Sequence, residues 1–123
     1  MRKLADYDQH ADQQQELLDG VIKRLQQIPG VTVVLIESPL NPEFVGSWLT
    51  DGLYSDYLER IDALAATNNV AFCNLNSEAA YQAADFIDSY HLCSKDALAR
   101  SRAALTTHLA SALHTRVIST KGN

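Results

Sequence analysis

Apolar residues along this chain fall into blocks with different periods. Between about Asp12 and Ile28 they recur as Leu17, Leu18, Val21, Ile22, Leu25 and Ile28, the three-and-four spacing of one helix face. Pro29-Gly30 stops that helix. The next block, VTVVLIE (31–37), is largely apolar and β-branched, the pattern of a strand buried on both faces in a parallel sheet. Residues 38–54 carry Pro, Gly and Asn with Phe44, Trp48 and Tyr54 among them, and read as one long loop, a length that is usually functional or partner-facing. Asp56 and Glu59 place negative charge at the start of a second helix. Its stripe is Leu58, Ile61, Leu64 and Ala65, and Asn68-Asn69 ends it. VAFCNL (70–75) is a second buried strand. Ser77 suits the cap of a short helix over residues 78–84. FIDSYHL (86–92) is irregular or briefly helical. Ser94 caps a last helix whose stripe is Leu98, Ser101, Leu105, Leu109 and Leu113. RVIST (116–120) reads as a frayed end or a short edge strand. Residues 1–10 read as a flexible N-terminal arm ahead of a single α/β domain over residues 11–123.

The order α-β-α-β-α-α predicts two parallel strands joined through a helix, a small parallel sheet flanked by helices. Two strands leave long apolar edges open. RVIST, a second copy of the chain, or further sequence is expected to cover them, and a homodimer with a sheet edge at its interface is the expectation adopted.

Composition narrows the class. The chain has 123 residues, of which 46% are hydrophobic, enough for one core and too few for a second. No apolar run reaches membrane-spanning length and the first residues do not read as a signal peptide, so a cytoplasmic protein is expected. A net charge of −5 argues against nucleic acid or an anionic membrane as partner. The basic residues after position 92 (Lys95, Arg100, Arg102, Arg116 and Lys121) face a single acid, Asp96, and read as a solvated helix face. Cys73 and Cys93 match neither a zinc spacing nor a disulfide framework; Cys73 reads as a small buried hydrophobe. Nothing points to a cofactor.

The chemistry concentrates in Asp88-Ser89-Tyr90-His91. A histidine can take a proton from a hydroxyl, and a nearby aspartate can hold its tautomer and stabilise its charged form. A nucleophile is harder to find. Ser38 follows a strand, where catalytic groups of parallel sheets gather, yet Pro39 lacks the N–H that commonly follows a nucleophile. Asn41 can donate to an oxyanion or serve the turn before Pro42. Ser77 and Ser94 are better explained as caps, and Ser89 is too close in sequence to Asp88 and His91 to assume an in-line triad. Asp85, Asp88 and His91 at three-residue spacing make a weak metal signature, and no metal site is assigned. His10, His108 and His114 have no motif, and a structural role is the default for His108. Phe44, Trp48 and Tyr54 could form an apolar rim for a small-molecule or protein ligand at the 38–54 loop.

VTVVLIESPLNPEF, then a helix, then VAFCNLN, then FIDSYHLCSKDALARSRAALTTHLASAL resembles the C-terminal half of SGNH-type (GDSL-like) hydrolases and acyltransferases. The nearest look-alike is the branch of the teichoic-acid D-alanine transfer protein. The resemblance runs over residues 12–113 and rests on the strand-ending loop Pro39-Leu40-Asn41 and on Asp88 to Leu92 before the last helix. It implies a flavodoxin-like, SGNH-like half-domain, with Asp88 as orienter and His91 as general base. The family's Gly-Asp-Ser nucleophile block and its oxyanion blocks are absent. The resemblance therefore implies a degenerate, non-catalytic relative acting as a dimeric binding or assembly module. The alternative is a component of an esterase or acyltransferase, with the serine supplied by another chain or a missing segment.

Overall fold

A computed structural model describes the backbone of residues 2–50 and 52–121, and the side chains of residues 6–50 and 52–114. The elements are α1 (Arg2–Gln26), β1 (Val34–Glu37), α2 (Pro42–Trp48), α3 (Leu53–Asn68), β2 (Ala71–Asn74), α4 (Leu75–Ala79), a 3-10 turn (Ala83–Asp85) and α5 (Lys95–Lys121). The protein is mixed α/β and mostly helical. β1 and β2 pair in parallel with Val34 opposite Ala71 and Glu37 opposite Asn74. α3 is the crossover between them, as the order of periods predicts.

The core gathers around β2. Cys73, Leu75, Ala79, Tyr81, Phe86 and Ala97 form one buried cluster, with Leu92, Ala104 and Leu105 packed against it. The Tyr81 and Phe86 rings meet edge to face at 5.6 Å, a favoured aromatic geometry. Cys73 is fully buried, as its apolar run predicts, and both cysteines are free thiols. Polar contacts help join α1 to α3. Buried Asn68 donates to Asp19 and to the Leu64 carbonyl, and its own carbonyl accepts from Gln26. Arg60 pairs with Asp8, Asp12 and Asp56.

Several expectations need correction. Residues 2–10 are helical rather than an arm; Tyr7 reaches Asp56 and the Leu53 carbonyl with its hydroxyl, a polar contact that hydrophobic periodicity does not register. The α1 stripe is only partly used: Ile22 is buried, while Leu17, at 65% exposure, Val21 and Ile28 face outward. The 38–54 segment is not one loop. Asn41 caps α2 by accepting from the Glu43 N–H, with Pro42 in the first turn, a helix-start signal that reads equally well as a turn. β1 is shorter than expected and not covered on both faces, since Ile36 is 44% exposed. Asn74, not Ser77, caps the short helix after β2. Ser94 does cap α5, accepting from the Ala97 N–H. The buried face of α5, however, runs through Ala97, with Ala104 and Leu105 partly buried; Leu98, Leu109 and Leu113 are exposed. RVIST continues α5 as helix and adds no strand, because the helix is not broken after residue 113.

Candidate functional site

The carboxyl ends of β1 and β2 lie side by side, and the polar residues that follow each strand meet there. Such ends are where open parallel sheets place their ligands. Asn76, in the first turn of α4, ties them together. Its Nδ2 donates to Glu37 Oε1 at 2.8 Å and to the Ser38 carbonyl at 2.9 Å, and its Oδ1 accepts from the Leu40 N–H at 2.7 Å. Asn74 Oδ1 in turn accepts from the Asn76 and Ser77 N–H groups.

From this platform Asn41 reaches the irregular segment that carries the sequence motif. The Asn41 N–H donates to the Ser89 carbonyl at 2.8 Å, and Asn41 Nδ2 donates to the Asp88 carbonyl at 3.1 Å. A bridge between Phe86 and Leu92 closes the base of the segment, and the Cys93 N–H donates to the Asp85 carbonyl. Asp88 and His91 are thereby held beside the carboxyl end of β1.

Within the segment, Asp88 and His91 form a pair. His91 Nδ1 lies 2.6 Å from Asp88 Oδ2. Asp88 Oδ1 accepts from the Tyr90 N–H at 2.9 Å and the His91 N–H at 2.8 Å. The bond to His91, followed by these backbone donors, holds the Asp88 carboxyl down at about 2, so it is an anion at any ordinary pH. A carboxylate on Nδ1 selects the tautomer with the proton there and leaves Nε2 as the basic nitrogen. Among the described residues no hydrogen bond reaches Nε2. The ring is exposed and leans on Tyr90, with centroids 4.4 Å apart.

The other sequence candidates are placed differently. Ser38 is exposed, its carbonyl is held by Asn76, and no hydrogen bond joins it to His91 among the described residues. Asn41 has one amide hydrogen committed to Asp88 and its Oδ1 committed to the α2 cap. Ser77 donates to the Asn74 carbonyl. Asp85 is held by the Gln82 N–H and by Arg100, and among the described residues no metal-binding group of three forms with Asp88 and His91. His108 pairs with Glu78. Trp48 is 73% exposed, whereas Tyr54 turns inward.

Glu37 is the residue that sequence reasoning passed over. Only 4% of it is exposed. Oε1 accepts from Tyr54 Oη at 2.6 Å as well as from Asn76, while Oε2 is buried with no partner among the described residues. Burial pushes its carboxyl up, against the two hydrogen bonds that pull it down. Its one sequence signal is an acid closing an apolar β-branched run. No family model, curated protein or solved structure matches this chain.

Proposed function

We propose that this chain is an SGNH-hydrolase-like module that carries the base half of an acyl-transfer site. His91 serves as general base, Asp88 orients it, and the hydroxyl nucleophile comes from another segment or another chain. The Nδ1–Oδ2 bond of 2.6 Å carries this reading. It is supported by two backbone donors that fix the second Asp88 oxygen and by the exposure of the ring beside a strand end. Together these support a reading in which Nε2 takes the proton of an approaching hydroxyl. The resemblance of Asp88 to Leu92 to the family's last motif points the same way.

The base half alone can assist water in hydrolysing an activated ester. With p-nitrophenyl acetate, slow hydrolysis is expected that falls to the buffer rate in His91→Ala and at least tenfold in Asp88→Asn, both with unchanged circular dichroism. A rate equal in wild type and His91→Ala would remove His91 from catalysis.

A second reading is a non-catalytic dimeric binding or assembly module. It is favoured by the open outer edge of β1, which pairs only with β2 among the described residues, and by the outward-facing Leu17, Val21 and Ile28 of α1. Sedimentation equilibrium distinguishes the two: a monomer at micromolar concentration counts against it.

A further inference from the structure

Among the described residues no hydrogen bond joins Glu37 to the Asp88–His91 pair. It forms part of the wall of a separate cavity of about 470 Å³, together with Ser38, Tyr7, Tyr54, Tyr57 and Leu49 among others. That volume is in the range of small-molecule sites, as is an apolar lining with a few polar groups. Three tyrosines and one buried carboxyl line it. The Tyr54 and Tyr57 rings stack with centroids 6.2 Å apart. The phenol of Tyr54 is spent on Glu37 Oε1, and that of Tyr7 on Asp56 and the Leu53 carbonyl. Glu37 Oε2 remains without a donor. A buried oxygen of this kind is costly unless something satisfies it.

We propose that this cavity binds an organic ammonium ion, a primary amine on an alkyl or aryl body, with the ammonium directed at the free oxygen of Glu37. The charge is complementary, because among the residues that line the cavity Glu37 is the one that can carry a full charge at neutral pH. The faces of tyrosine rings attract cations, and Leu40, Leu49 and Leu53 suit the ligand's apolar body. Oε2 is shielded from water, so a donor reaches it only when a lining side chain shifts, and a primary ammonium, about the size of a water molecule, needs a smaller shift than a bulky quaternary one. The upward pull on the tyrosine hydroxyls, in which burial leads and Glu37 contributes for Tyr54 and Tyr57, fits a site of negative potential. The proposal is independent of the Asp88–His91 reading.

The test is titration of the whole chain with n-hexylammonium chloride, n-hexanol and sodium hexanoate, followed by NMR signals of Glu37, Tyr54 and Tyr57. Hexylammonium is expected to shift all three and to bind at least tenfold more tightly than either control. Glu37→Gln should weaken it at least tenfold, and Tyr57→Leu several-fold, while His91→Ala leaves it unchanged. If Glu37→Gln does not fold, the comparison of the three ligands on the wild-type chain decides. Hexanol binding as tightly as hexylammonium overturns the proposal. So does hexylammonium binding that Glu37→Gln leaves intact, or that His91→Ala abolishes.

Discussion

Glu37 and Asp88 stand beside the same end of β1, one as its last residue and the other tied to it through Asn41, yet the fold treats them in opposite ways. Glu37 is buried and held by residues 17 and 39 positions away, Tyr54 and Asn76. Asp88 is exposed and held by residues two and three positions away. The first carboxyl is pushed up by burial; the second is pulled down to about 2 by its hydrogen bonds to His91 and the backbone. One belongs to the framework and depends on the whole fold being made. The other is a local device that a short stretch of chain assembles almost by itself.

The sharpest way to break this contrast is to remove the clamp on the framework side. Asn76→Ala strips the Leu40 N–H and the Ser38 carbonyl of their partner and takes one donor from Glu37. A loss of about 3 kcal/mol in urea unfolding is expected, with a drop of roughly 10 °C in Tm. A change no larger than that of an exposed control such as Ser55→Ala would mean that the strand ends are held by something else. Tyr54→Phe should follow with about 1–3 kcal/mol at neutral pH, because it leaves the buried carboxylate with one donor fewer.

The contrast also fixes how stability varies with pH. The folded-state value of Glu37 is raised. Between the ordinary value near 4.5 and that raised value, the folded chain keeps a proton that the unfolded chain has released. Stability therefore falls as pH rises through that window and is level above it. Asp88 has the opposite sign: its stabilisation is full above about 3.8 and is lost as pH falls toward about 2. Glu37→Gln should flatten the limb above pH 4.5 and leave the acid limb in place. Urea midpoints measured from pH 2.5 to 8 check this, and an unchanged upper limb would mean that Glu37 titrates normally.

The same division explains what could be read in the sequence. Asp88 and His91 are three residues apart, so their pairing is visible in a single stretch of chain. The parallel strands and the crossover helix are likewise written as local periods. Glu37 as a site depends on Tyr54 and Asn76, whose positions relative to it are set only when α3 and α4 pack on the sheet. Helix α2 was hidden because Asn41-Pro42 is equally good chemistry for a turn and for a helix start. The first turns of α1 were hidden because Tyr7 and Arg60 hold that helix through polar contacts, which a search for apolar stripes does not weigh. The α5 stripe lies elsewhere than leucine spacing predicts, because the small alanine side chain is what fits against the core. Ala97 is fully buried and Leu113 is exposed.

The smallest expected effect is the most specific to the local device. His91→Ala removes the leading cause of the depressed Asp88 carboxyl and leaves the backbone donors from Tyr90 and residue 91 in place. The carboxyl should titrate partway back from about 2 toward its ordinary 3.8, with little change in neutral-pH stability, since both side chains are exposed. Carboxyl-carbon NMR of the Asp88 side chain reads this directly. A midpoint that stays near 2 would show that the turn holds the aspartate without the imidazole. The pair would then be a backbone-capped turn with a histidine lying beside it, and the case for an oriented base would fall with it. A midpoint that rises would show that carboxylate and imidazole interact in solution, as orientation of the ring by Asp88 requires.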